Sequence, residues 1–311
     1  MSRTFIGALI IVGLICAGLA ASLMPIGDFG LRAGSAENRH RPDIADAPPQ
    51  RLVSMAPNIT ETIFALGQGD RLVGVTNFCL FPPEAMTLPK VGGFYNPNLE
   101  RLVALRPDLI ALQGRHKKVT AFCRARNIAV LHVDMDSLST IYNGITKLGD
   151  ALGASERAEQ LCTQIRSGLQ QVRRHTKRMK KKEVFISLSR TMGSMTNLYT
   201  VGGSSFVSQV VDVAGGRNIF ADVTQPYPEV SKESLIKRAP EIILELYPGE
   251  NISEGRRREI LKEWNAFPTI PAVSHERIYV LTDDFLLVPG PRVVRAARRF
   301  AEAIHGEIYD R

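Results

Sequence analysis

One pattern occurs twice in this chain, 133 positions apart. The first copy is Asn98-Leu99-Glu100-Arg101-Leu102-Val103 followed by Pro107-Asp108-Leu109-Ile110. The second is Ser231-Lys232-Glu233-Ser234-Leu235-Ile236 followed by Pro240-Glu241-Ile242-Ile243. Asn and Ser are preferred helix caps, because their side-chain oxygens accept from backbone N–H groups that a first turn leaves orphaned. Proline then stops each short helix, since the residue before it is pushed out of the helical region. The acid and the apolar pair that follow read as the start of a buried strand. A unit kept in register across so long an interval predicts two equivalent halves, and 311 residues suffice for two cores.

The flanking sequence supports two α/β lobes with central, mainly parallel sheets. Strands are expected at Leu52–Met55, Leu72–Val75, Leu109–Leu112 and Ala129–Val133, then at Val184–Leu188, Ile242–Leu246 and Ile278–Leu281. After the first strand, Asn58 is placed to cap a helix with Glu61 three residues on. Between the halves, apolar residues from Ile141 to Val172 recur at helical spacing. Gly149 and Gly153 are expected to break or bend the first third of this segment. A helix of about 25 residues from Ser155 would be roughly 38 Å long, enough for a single long rigid helix joining the lobes. This gives an N-terminal lobe over 51–137, a linking region over 138–181 and a C-terminal lobe over 182–311.

Residues 1–27 carry Arg3 and an uncharged apolar stretch from Thr4 to Met24, the pattern of an export signal. The stretch is also long enough to anchor the chain in a membrane. Cys16 lacks the preceding small residue that lipidation wants. Residues 28–50 are polar and proline-rich, and read as a flexible linker. Export would leave Cys79, Cys123 and Cys162, an odd number that argues against a disulfide framework. The net charge is +8, but Lys180–Lys182 and Arg256–Arg258 lack interleaved aromatics and any nucleic-acid motif, so they are expected to be solvated surface. No nucleophile elbow, zinc-protease helix, P-loop or dinucleotide fingerprint is present, so an enzyme is not expected. Val201-Gly202-Gly203-Ser204-Ser205 opens a helix and reads as an N-cap turn rather than an anion cradle. The scattered histidines do not form a metal set, and His116 is expected in a solvated loop.

Arg51–Gly67, Leu72–Thr76, Phe81–Glu84 and Pro97–Ile110, with Gly215–Phe220, Val230–Leu235 and Gly290–Arg292, resemble the solute-binding proteins that serve ABC importers of cobalamin, ferric siderophores and haem. The resemblance runs from Arg51 to about Gly306. Pro82-Pro83-Glu84 and Tyr227-Pro228-Glu229-Val230-Ser231 look most like the cobalamin-binding members. It implies a class III binding protein at the periplasmic or extracytoplasmic face of the inner membrane. Such a protein would be monomeric, have no cofactor of its own, and deliver a cobalt corrinoid or ferric complex to a permease dimer with its ATPase. A module of the same fold that senses its ligand is the alternative of another class. The resemblance further implies that Glu100 and Glu233 dock onto basic residues of the transporter. By itself, glutamate in a first helical turn is also favoured by the helix dipole.

Ligand is expected between the lobes. The candidates are Asn58, Phe78, Cys79, Phe94 and Tyr95 from the first lobe, and Arg190, Tyr199, Tyr227, Asp284, Phe285 and Arg292 from the second. Aromatics in a glycine-rich loop such as Val91–Tyr95 suit a large planar ring, and a Cys79 thiolate is a conceivable metal ligand. The sequence departs from cobalamin binders with cleft tryptophans, since Phe94 and Leu112 stand in the matching places and Trp264 lies on a helix elsewhere.

Overall fold

The computed structural model describes residues 47–306. The segments expected as a signal or anchor over 1–27 and, for the most part, as a linker over 28–50 lie outside the described residues. The first sheet contains β1 (Leu52–Ser54), β2 (Leu72–Val75), β3 (Leu109–Gln113) and β4 (Ala129–Val133), all parallel, in the order β2-β1-β3-β4. Around it run α1 (Pro57–Ala65), α2 (Pro83–Thr87), α3 (Leu99–Ala104) and α4 (Lys117–Arg124). The linking region holds α5 (Leu138–Leu152) and α6 (Ser155–Thr176).

The second lobe repeats the plan. Strand β5 (Lys182–Ser187) is its first sheet strand, and short β6 (Ser189–Thr191) and β7 (Thr196–Tyr199) follow. Then come α7 (Phe206–Val213), β8 (Gly216–Asn218), β9 (Glu229–Val230), α8 (Lys232–Arg238) and β10 (Ile242–Leu246). The chain ends through α9 (Glu254–Trp264), α10 (Pro271–Ser274), β11 (Ile278–Leu281) and α11 (Val293–His305). The parallel sheet has the order β8-β5-β10-β11. In each lobe the second strand flanks the first on one side, and the third and fourth lie on the other. A small antiparallel sheet β6-β7-β9 is added. Its short, polar strands carry no alternation strong enough to be read from the sequence.

The repeated segment is the crossover from second to third strand in both lobes, and the structure explains most of its shared residues. Asn98 Oδ1 accepts from Arg101 N–H, and Ser231 Oγ accepts from Ser234 N–H. Leu102 and Leu235 are both fully buried. Each helix ends in a left-handed residue before its proline, Arg106 at φ 46° and Ala239 at φ 43°. The acid has the same task twice. Asp108 accepts from the backbone N–H groups of Gln50 and Arg51 at 2.7–3.0 Å, and Glu241 accepts from Glu183 N–H at 3.1 Å. Each carboxylate thus clamps the third strand onto the beginning of the first.

The linking region breaks at Gly153, one of the two glycines expected to interrupt it, and α6 is the expected long helix from Ser155. Gly153 ends α5 in the left-handed region at φ 69°, where a side chain would be strained. Gly149 does not break α5. A Cβ there would stand 2.4 Å from that of Ala158, so glycine lets the two helices approach closely. They run antiparallel, with Arg166 over the Tyr142 ring at 4.7 Å. The 22-residue α6 is the bridge, about 33 Å long. Near its start Arg157 donates to Ala65 of the first lobe, and at its end Thr176 donates to Val213 of the second. Gly168 meets Val294 of α11 on the way.

The Gly202-Gly203 turn is a close approach of two backbones. Its N–H groups donate to Pro226 and Val223 carbonyls, so they are not aimed at an anion, and Ser205 caps α7. A Cβ on Gly202 would lie 2.0 Å from the Gln225 carbonyl oxygen, and backbone cannot swing aside as a side chain can. Gly202→Ala is expected to cost about 3 kcal/mol, the upper end of ordinary overpacking penalties, read as a lowered denaturant midpoint. An unchanged midpoint would contradict this packing.

Candidate functional site

Strands β1 and β3 end at a polar line that leads from the first lobe to the seam between the lobes. Asn58 Nδ2 donates to Gln113 Oε1 at 2.5 Å and contacts Met135 Sδ at 3.2 Å, while Gln113 Nε2 donates to Asp136 Oδ1 at 3.0 Å. Asn58 is therefore not the cap of α1. That helix begins at Pro57, whose fixed φ suits the first position, with Ala56 before it. Partial enclosure, and next the charge of Asp134, raise the Asp136 carboxyl above its ordinary range.

Beside this line the Gly92-Gly93 loop carries Phe94 and Tyr95. Their rings meet edge to face at 4.7 Å, and His116 packs edge-on to Phe94 at 4.6 Å. Tyr95 and His116 have ring centroids 6.2 Å apart. Phe94 is buried, Tyr95 is 46% exposed, and half-buried Phe78 lies beside Gly93. His116 is buried rather than solvated, and desolvation lowers its pKa. Across the seam stands Tyr227 of the second lobe, within electrostatic reach of Asp136 and Tyr95. Burial is the largest cause that pushes its phenol up to about 12, so it remains a hydrogen-bond donor at neutral pH.

A second inter-lobe contact lies at α1 and the start of α11. Arg292 Nε and Nη2 donate to the two Glu61 oxygens at 2.8 and 2.7 Å, and Nη1 donates to Asp284 at 2.8 and 2.9 Å. The guanidinium lies 4.0 Å from the Phe81 ring centroid. Arg292 and Glu61 are buried, and Gly290 sits against the Asn58 backbone. Arg292 and Asp284 are thus occupied in a seam ion pair rather than offered to a ligand. Glu61, read as a cap partner, is the other half of that pair.

Four more candidates are engaged by other parts of the protein. Cys79 is fully buried, accepts from Thr60 and lies 3.1 Å from Thr76 Oγ1, and burial raises its thiol, so it is no metal ligand in this arrangement. Arg190 is buried in a charge cluster with Glu245 and Glu263, against Trp264, whose Nε1 donates to Glu245 at 2.7 Å. An arginine needs such carboxylates once it is removed from water. Phe285 is in the core, and half-buried Tyr199 is a β7 residue paired with Ser189 and Glu229. Gln113 and Asp136 were not singled out by the sequence. They stand at a strand end and in the loop after the next strand, and nothing local distinguishes such residues.

Glu100 and Glu233 are exposed on the first turns of α3 and α8. As crossover helices of parallel sheets, both begin toward the carboxyl ends of the strands. Among the described residues no group of three or more His, Cys, Asp or Glu side chains is arranged to hold a metal ion. No described helix is long and apolar enough to cross a membrane.

Two α/β lobes, a bridging helix and a seam lined by aromatic and amide groups define a two-lobed solute-binding protein. The chain belongs to the periplasmic binding protein family, whose profile matches residues 52–285. It is 30% identical to an uncharacterized ABC transporter substrate-binding lipoprotein, YvrC, of Bacillus subtilis, over 84% of this chain and 82% of that protein. It is 28% identical to the vitamin B12-binding protein of Photorhabdus laumondii, over 83% and 89%. Similar solved structures include the periplasmic vitamin B12-binding protein BtuF of Vibrio cholerae, with TM-score 0.69 and 26% identity, covering 85% of this chain and 99% of that one. The periplasmic heme-binding protein RhuT of Roseiflexus sp. RS-1 is similar too, with TM-score 0.70 and 25% identity over 84% and 99%.

Proposed function

We propose that this protein is the substrate-binding component of an ABC importer, that it holds a corrinoid between its lobes, and that it docks on the permease through Glu100 and Glu233. The aromatic cluster of Phe94, Tyr95 and His116 facing Tyr227 carries this reading. It offers the exposed Tyr95 ring, braced edge-on by Phe94, to a large ring on one side and a phenol donor on the other, and apolar walls with few polar anchors are what small-molecule sites use. Asn58, Gln113 and Asp136 supply amide and carboxyl groups suited to the amide-bearing edge of a corrinoid. The vitamin B12-binding relatives support the same ligand class. A ferric complex or haem is the second reading. The Tyr95 and His116 rings lie 6.2 Å apart, Tyr95 exposed and His116 buried behind it, and both residue types are iron ligands in proteins.

Titration of the purified protein with cyanocobalamin, haemin and a ferric hydroxamate, followed by absorbance and calorimetry, separates the two. Cyanocobalamin is expected to bind at micromolar concentration or below. Binding of haemin or the hydroxamate with none of the corrinoid would overturn the corrinoid assignment.

A further inference from the structure

Folding accounts for nearly every residue that the two copies of the repeat share. The caps, the buried leucines, the prolines and the strand-clamping acids all have partners inside their own lobe. Two shared positions do not. Glu100 makes no hydrogen bond or ion pair among the described residues, and Glu233 reaches no further than the cap Ser231 of its own helix. One helical turn on, Val103 and Ile236 occupy the same repeat position, are 41% and 40% exposed, and are two of only five large apolar side chains exposed among the described residues. Residues three apart on a helix are neighbours on its surface. Each lobe therefore displays an acid next to a branched apolar side chain, in the same local setting.

We infer that Val103 and Ile236 are docking contacts for a partner with two-fold symmetry, which presents a cationic group beside an apolar hollow, once to each lobe. This rests on the permease-docking reading of Glu100 and Glu233 and extends it. The acid orients and the apolar side chain is desolvated, a division expected of interfaces in which charge gives register and burial gives affinity. A two-fold partner follows because both lobes offer the same pair from the same crossover helix. A partner without symmetry has no reason to find it twice.

The test measures binding of the ligand-free protein to its cognate permease–ATPase complex in lipid nanodiscs. Val103→Thr replaces a methyl by a hydroxyl and Ile236→Thr replaces an ethyl by a hydroxyl, and both keep the β-branch. Each is expected to weaken binding about tenfold, and the pair about a hundredfold, since separated contacts add. Thermal unfolding should be unchanged, and the apolar replacements Val103→Ile and Ile236→Val should bind as the parent does. If Glu100→Ala/Glu233→Ala loses binding while the threonine variants keep it, this inference fails and the docking reading stands. If only one threonine variant matters, the two-fold partner is wrong. If the parent protein does not bind the complex, both readings fall.

Discussion

Arg292→Leu is expected to lower the unfolding free energy at pH 7 by about 3–5 kcal/mol, the usual cost of removing one partner from a buried ion pair. The pair is buried from both sides, with the Arg292 and Glu61 side chains 8% and 2% exposed, and the guanidinium donates four short hydrogen bonds to the two carboxylates. Leucine leaves the Glu61 carboxylate in an apolar seam with its hydrogen bonds from Arg292 gone. The deficit has a definite pH dependence. Burial already raises the Glu61 carboxyl, while Arg292 holds it down and Asp284 and Arg295 act in opposite senses. Without Arg292 the folded-state pKa rises further above the ordinary value of 4.5. A carboxyl whose folded-state pKa is raised favours folding when protonated, and that contribution is lost as pH rises above its unfolded value. The deficit of Arg292→Leu should therefore shrink between pH 7 and pH 5, and Glu61→Gln/Arg292→Leu should be more stable at pH 7 than Arg292→Leu alone. Denaturant melts at the two pH values decide it. A deficit that stays constant or grows on acidification would mean that Glu61 is not the group left exposed to the change.

Uptake is expected to fall to background when Glu100 and Glu233 are both replaced by lysine, with ligand affinity unchanged. Both side chains are exposed, and neither touches Phe94, Tyr95, His116 or Tyr227, so the cleft has no stake in them. Reversal sets lysine against the basic residues proposed on the permease, and like charge at an interface costs several kcal/mol per contact. Single reversals should give intermediate uptake, since one of the two lobes retains its correct contact. The measurements are transport of labelled ligand in cells carrying each variant and calorimetry of the purified protein. Loss of ligand affinity in the double variant would assign the two residues to the cleft or to the fold.

How much of this was legible in the sequence differs from residue to residue. Asn98, Ser231, Leu102 and Leu235 behave as their local pattern requires, because capping and helical burial depend on neighbours three or four residues away. The fourfold alternation of strand and helix in each lobe is equally local. Asp108 and Glu241 were visible as repeated acids, but their clamp on Arg51 and Glu183 depends on which strands pair. The cleft is harder still. Asn58 and Glu61 form a plausible cap pair on paper, yet Pro57 starts the helix and frees both, one for Gln113 and one for Arg292, which lies 231 residues away. Arg190 and Cys79 looked available because nothing in their own segments hides them. Glu245, Glu263 and Thr60 do that from distant parts of the chain.

The repeat thus determined by itself that there are two lobes of one plan, each bearing a glutamate at the same place in the first turn of its crossover helix, since those features follow from short-range capping, periodicity and proline stops. Only the tertiary structure decided which cleft candidates face one another and which are held by partners elsewhere in the chain. Charges and aromatics choose their partners by who is within a few ångströms when water is expelled. That distance is set by the packing of whole lobes, and no stretch of sequence contains it.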